Sequence, residues 1–284
     1  MPTKLNTAFN TDLITLAAEV IVGNSYGSGI YIHKENQIFF CTARHVLYTN
    51  ISPQGQPNYQ LKQNLIEIKS YPKNTNYSTF EKLRVDLNAL TAATQLSINQ
   101  TLDICVFKIA DQNGSQIQLI NGVTKISATL SLNVASNTMV KPAHEIEVGE
   151  ELYVIGYPKA VQLLNRNQPF YNYDLPLVRK GITSCMNDYK TFIIDCSVFG
   201  GNSGGPVFIA ENTISNIGGS IQIKNKRFLI GIAIQYIPLL NMTAAQMNPT
   251  ITTFNHAENS GYGVCVSFEE LTKEIDKLTP TAII

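Results

Sequence analysis

Residues 200 to 206 read Gly200-Gly201-Asn202-Ser203-Gly204-Gly205-Pro206, and this heptapeptide governs how the rest of the chain is read. A serine set among glycines can occupy a tight turn closed to bulkier residues, with backbone N–H groups directed at one point. At such a point a tetrahedral intermediate of acyl transfer would carry its negative oxygen, which makes Ser203 a candidate nucleophile. A hydroxyl is a weak nucleophile at neutral pH, so the reading requires a histidine base and a carboxylate that orients it. Both stand upstream. Phe39-Phe40-Cys41-Thr42-Ala43-Arg44-His45-Val46 ends an apolar, strand-like run in a small-residue turn with His45 at its exit. Leu102-Asp103-Ile104-Cys105-Val106-Phe107-Lys108-Ile109 puts a carboxylate at the mouth of an alternating strand, with Asp86, in Val85-Asp86-Leu87, as its main competitor.

The order His45, Asp103, Ser203, carried by Thr-Ala-x-His, Asp-Ile-x-Val and Gly-Asn-Ser-Gly-Gly-Pro, resembles the chymotrypsin-like (trypsin-like) serine peptidases, most closely their HtrA/Deg-type branch. Other triad-bearing folds present the three residues in different orders. Further segments are similar to elements of that family. Gly27-Ser28-Gly29-Ile30-Tyr31-Ile32 looks like the hairpin strand before the histidine, and Val148 to Pro158 like the strand and Gly-x-Pro turn opening the second lobe. Arg179-Lys180-Gly181-Ile182-Thr183-Ser184 resembles the next strand, and Gly261-Tyr262-Gly263-Val264 the strand closing the specificity pocket. The resemblance runs from about Leu13 to Phe268.

That resemblance implies a serine endopeptidase in which His45 takes the Ser203 proton, Asp103 holds the imidazole tautomer, and the N–H groups of Gly201 and Ser203 form the oxyanion hole. It further implies a primary pocket with Ser197, six residues before Ser203, at its base and Val198, Ile234, Gln235, Tyr236 and Gly263 in its walls. An uncharged base and Tyr236 at the entrance imply cleavage after small or medium apolar residues, with a protein or peptide as substrate. Asp195 could face the same side as Ser197 on an alternating strand, and is the main threat to that expectation. The neighbour of the nucleophile is Asn202, not the aspartate that receives a new N-terminal amine in trypsin-like zymogens. Ile21-Val22-Gly23-Asn24 is therefore read as an interior strand, leaving constitutive competence, loop ordering or a regulatory protein partner as the modes of control. The alternative is a catalytically silent protease-fold protein that uses its cleft as a peptide-binding or interaction module. The intact triad and glycine turn favour catalysis.

Short apolar runs recur between turn signals, about a dozen in all, with almost no convincing helix among them. Two six-stranded antiparallel β-barrel lobes would use every one, giving an all-β fold with a catalytic cleft between the lobes. The expected protease domain is 13–278, with lobe one at about 13–111 and lobe two at about 148–266. Between them 112–147 forms the linker, its stretch Gln112 to Lys141 being rich in Asn, Ser, Thr and Gly. A C-terminal helix is expected over 267–278, with a Ser267 cap, Glu270 three residues later and apolar residues at 268, 271, 275 and 278. The sequence to Ile284 leaves no room for the peptide-binding PDZ domain that often follows this core, so none is expected.

Across 284 residues, Lys plus Arg equals Asp plus Glu at 21 each, a balance that argues against nucleic acid or an anionic membrane surface as partner. The first twenty residues show neither an uninterrupted apolar segment nor a small-residue cleavage signal, and no stretch approaches a membrane span. A cytoplasmic location is expected. The 5 cysteines, Cys41, Cys105, Cys185, Cys196 and Cys265, are odd in number and read as small buried hydrophobes rather than a disulfide framework, although Cys185 and Cys196 could meet across strands. No Cys-x-x-Cys or His-x(3 to 5)-His pair suggests a metal, and no cofactor is expected.

Overall fold

The computed structural model describes residues 11–52, 56–73, 79–158, 175–217, 220–247 and 250–279. The N-terminal lobe runs through β1 (Ala17–Val22), β2 (Ser25–Lys34), β3 (Gln37–Ala43), β4 (Tyr48–Asn50), β5 (Tyr59–Leu61) and β6 (Leu65–Ser70). It continues with β7 (Glu81–Asp86), β8 (Leu96–Ile98), β9 (Ile104–Asn113), β10 (Gln116–Leu119), β11 (Val123–Lys125) and β12 (Ala135–Ser136). Two short helices interrupt it, α1 (Arg44–Leu47) and α2 (Leu87–Ala92). The second lobe comprises β13 (Glu151–Gly156), β14 (Leu177–Asn187), β15 (Thr191–Asp195), β16 (Pro206–Ile217), β17 (Ser220–Met247) and β18 (Thr250–Ser267), followed by α3 (Phe268–Asp276).

Hairpin chemistry sets the first strands. Lys34 pairs with Gln37 across Glu35 and Asn36, whose φ of 49° and 59° give the two left-handed residues that a tight, twist-matched turn needs. Alternation then fills the core. Phe40 on β3 packs edge-on to Tyr31 and against Phe107, at ring separations of 5.0 and 5.4 Å.

The second lobe closes as a six-stranded barrel in the order β13-β14-β15-β18-β17-β16, and the whole is chymotrypsin-like. The first lobe is richer than the six strands expected. Its ten-stranded curled sheet follows the path β10-β9-β3-β2-β1-β6-β7-β11, with β8 added on β9 and β12 parallel to β2. Much of the extra pairing comes from the polar stretch read as a linker: β10 folds back on β9, β11 extends β7, and β12 lies along β2. Edge strands are held by backbone hydrogen bonds, so they need little apolar alternation and leave a weak trace in sequence. Gly218 to Ile223, one of the short apolar runs of the sequence, belongs from Ser220 on to β17, and Gly218 and Gly219 lie outside the described residues. Beyond the barrel, β16 and β17 pair out to Ile217 and Ser220, and β17 and β18 out to Met247 and Thr250.

Inside the barrel Leu152, Val154, Phe192, Ile194, Val207, Ile209 and Ile230 form one core. A larger core fills the first lobe and takes in Phe268, Leu271, Ile275 and Leu278, so the terminal helix emerges from one lobe and packs on the other. The helix is shorter than expected, and Ser267 occupies its N-cap without a side-chain bond; its hydroxyl is buried with no partner. The Ser267 N–H instead donates to the Lys190 carbonyl at 2.8 Å, which ties the helix start to the barrel rim. The cysteines are free, and Cys185 is exposed where a buried thiol was expected. Cys185 lies opposite Ile193, whereas Cys196 falls past the end of β15, so the two do not face each other across the strands.

Candidate active site

The β3–β9 pairing sets Ala43 against Ile104, and so brings the residues just after one strand beside those just before the other. The Arg44 N–H donates to the Asp103 carbonyl at 3.0 Å. The Asp103 carboxylate takes two bonds from His45: Oδ1 accepts the backbone N–H at 2.9 Å, and Oδ2 is paired with Nδ1 of the ring. One carboxylate thus fixes the histidine at main chain and side chain, which leaves the ring only one orientation and directs Nε2 away from the acid.

Ser203 arrives from the other lobe on the turn leading into β16. Asn202 N–H donates to Phe199 carbonyl at 2.9 Å, and Gly201, at φ 98°, supplies the positive dihedral of a type II turn. Gly204 also sits at a positive φ, 88°, and a Cβ there would lie 2.0 Å from the Ser28 carbonyl oxygen. First-lobe groups hold this turn. Ser28 N–H donates to the Ser203 carbonyl at 2.8 Å, and Ser28 Oγ donates to the Gly201 carbonyl at 2.7 Å while accepting Tyr157 N–H at 2.9 Å. Thr42 Oγ1 secures Ser28 in turn through its carbonyl, at 2.7 Å.

His45, Asp103, Val198, Phe199, Gly200, Ser203, Ile234, Gln235 and Tyr236 line one open cavity of about 380 Å³. Ser203 and His45 share it without a hydrogen bond between them among the described residues. Ser197 is half-buried and Gly263 buried, and neither belongs to the lining. Gly263 instead packs behind a wall residue, since a Cβ on it would come within 2.5 Å of Val198 Cγ2. Asp195 is exposed and paired in register with Ile182 and Tyr262. Asp86 stands elsewhere as the N-cap of α2, accepting Ala89 N–H at 3.0 Å. No group of three His, Cys, Asp or Glu side chains suited to a metal occurs among the described residues. No helix of the described residues is long and apolar enough to cross a membrane.

Two residues that the sequence passed over matter to this geometry. Ser28 read only as part of a hairpin, yet it staples the turn that carries Ser203. Arg44 read as a spacer, yet its buried guanidinium donates to the carbonyls of Asn99 at 2.5 Å and Leu102 at 3.3 Å, with Nε 3.7 Å from Asp103 Oδ1. Tyr59 covers that guanidinium with its ring at 3.9 Å. A lone cation between a buried strand and a histidine was the available signal for Arg44.

A family model described as a trypsin-like peptidase domain matches residues 27–214. No curated protein sequence matches the chain. Among solved structures, a serine endoprotease from Yersinia pestis aligns at 17% identity and TM-score 0.46 over 93% of this chain and 63% of its own. The Rv3671c protein of M. tuberculosis H37Rv, in an inactive form, aligns at 12% identity and TM-score 0.43 over 95% of this chain and 89% of its own. A human heparin binding protein aligns at 10% identity and TM-score 0.48, covering 93% and 90%. The chain therefore spans less than two thirds of the Yersinia pestis protein.

Proposed function

We propose that this chain, which belongs to the trypsin-like peptidase domain family, is a serine endopeptidase working through His45, Asp103 and Ser203. The observation that carries the reading is the doubly bonded His45–Asp103 pair facing Ser203 across one cavity. In the reaction, Ser203 Oγ attacks the scissile carbonyl while His45 Nε2 takes its proton, and Asp103 stabilises the resulting imidazolium through Nδ1–H. The C=O π bond opens to an oxyanion, which accepts hydrogen bonds from the Gly201 and Ser203 N–H groups. Collapse breaks the C–N bond, His45 returns the proton to the departing amine, and water hydrolyses the acyl-enzyme by the same steps.

The wall residues are apolar apart from Gln235, and cleavage after small or medium apolar side chains follows. A second reading, a silent protease-fold module that binds peptides in its cleft, is favoured by one observation: Ser203 and His45 are not hydrogen-bonded. Substrate-free sites are often loose in this way and tighten on binding, so catalysis is the preferred reading. A fluorophosphonate probe decides between them. Labelling confined to Ser203 and lost in His45→Ala supports catalysis; a correctly folded chain that stays unlabelled supports the module.

A further inference from the structure

Glu274 lies on α3 with only 1% of its surface exposed, an unusual place for a carboxylate. Burial of an ion is costly unless donors surround it. Three do: Ser97 Oγ, Asn99 Nδ2 at 2.8 Å and Lys277 Nζ at 2.6 Å. Two of these belong to the segment entering the Asp103 loop. Asn99 is itself a bridge, because its Oδ1 accepts the N–H groups of Thr101 at 2.9 Å and Leu102 at 2.7 Å. The Asn99 carbonyl takes the Arg44 guanidinium at 2.5 Å, and its N–H donates to the Ile104 carbonyl at 3.1 Å. Every polar group of Asn99 is thus engaged, with the helix on one side and the loop on the other.

Asp276 at the end of α3 pairs with Lys34 of β2, but its carboxylate is half-exposed and such a pair adds little. The rest of the contact of the helix and the turn after it with the first lobe is apolar packing, through Phe268, Leu271, Ile275 and Leu278. Apolar packing is non-directional and would seat the helix in neighbouring registers at similar free energy. A buried carboxylate with fixed donors selects one register. We propose that Glu274 is a positioning residue for the triad: through Asn99 it makes the terminal helix a clamp that holds the Asp103 loop, and hence the His45 ring, in place. The inference rests on the peptidase reading for its kinetic arm only.

The test uses the full chain and its Glu274→Ala and Glu274→Gln variants. In the kinetic arm, Glu274→Ala lowers kcat by on the order of tenfold with KM little changed, and the loss disappears in an Asp103→Asn background because the effect passes through that carboxylate. Glu274→Gln, which keeps the length and an acceptor for Asn99, restores most of kcat. In the spectroscopic arm, the far-downfield proton resonance of the His45 Nδ1–H···Asp103 bond broadens or is lost in Glu274→Ala and persists in Glu274→Gln. Equal loss of kcat in both backgrounds, or an unchanged resonance in folded Glu274→Ala, overturns the proposal. If the native chain hydrolyses nothing, the peptidase reading fails and the resonance alone decides the clamp. Should Glu274→Ala not fold, Asn99→Ser removes the bridging amide from the loop side and carries the same readouts.

Discussion

Ser203 and Gly204 are neighbours whose substitutions should both remove activity but differ in their effect on stability. Ser203 is 8% exposed and its Oγ has no hydrogen-bond partner among the described residues, so Ser203→Ala removes the proposed nucleophile and little else. Hydrolysis should fall by about 10⁴ to 10⁶, while the melting temperature moves by less than about 2 °C. Turnover within tenfold of the native chain in pure Ser203→Ala would end the assignment. Gly204→Ala should abolish activity by a different route. Its methyl would meet the Ser28 carbonyl oxygen at 2.0 Å and Thr42 Oγ1 at 2.5 Å, on a backbone already at φ 88°. Clash and strain together should cost about 3 kcal/mol or more, read as a lower melting temperature. A Gly204→Ala protein with native stability would show that the turn is not held against the first lobe. These roles were legible because short motifs encode local chemistry. Ser28, Arg44 and Glu274 were not, because each acts on a partner far along the chain.

At the scale of elements, α3 was legible from its apolar spacing, but its buried charge was not. Burial pushes the Glu274 carboxyl up, yet the bonds from Lys277, Ser97 and Asn99 outweigh burial and hold it below the ordinary carboxylate value. A carboxyl whose folded pKa lies below its unfolded value stabilises the fold above the unfolded pKa, and that contribution is lost as pH falls through the folded one. The native chain should therefore melt higher than Glu274→Gln near about pH 6, and the gap should narrow as pH falls through the ordinary carboxylate range toward about pH 3. Paired melts across that range test this, and a gap that stays constant with pH would assign the difference to packing instead. The strands within the polar stretch after β9 were missed for the same kind of reason. Gln116-Ile117-Gln118-Leu119 is too brief an alternation to stand out, and its partner strand supplies the bonds that make it a strand.

For the molecule as a whole, two predictions concern what the cleft accepts and whether the chain must be cut. Among its lining residues only Asp103 carries a carboxylate, and both its oxygens are bonded to His45, while Asp195 is exposed outside the lining. A buried Arg or Lys side chain would lose hydration without a countercharge, so cleavage-site profiling should return Ala, Val or Leu before the scissile bond. Discrimination among them should be about 1 to 3 kcal/mol per methylene. A profile dominated by Arg or Lys would sink this reading and return attention to Asp195. Ile21 lies inside β1, paired with Tyr26 and Glu67, and Asn202 beside Ser203 has no charge to receive an amine. The active protein should retain an uncut Ile21–Val22 junction; N-terminal sequencing that finds a new start at Ile21 would refute this. The sequence by itself determined the candidate site residues and their order, the all-β class and the terminal helix, since these follow from local motifs and hydrophobic period. Only the tertiary structure decided that Asp103 rather than Asp86 meets His45, that the main sheet of the first lobe has ten strands, that Ser28 and Arg44 bond the segments carrying Ser203 and Asp103, and that Glu274 bonds Asn99. Each depends on pairing between segments distant in sequence, where strand register and the enclosure of charge, rather than composition, choose the partner.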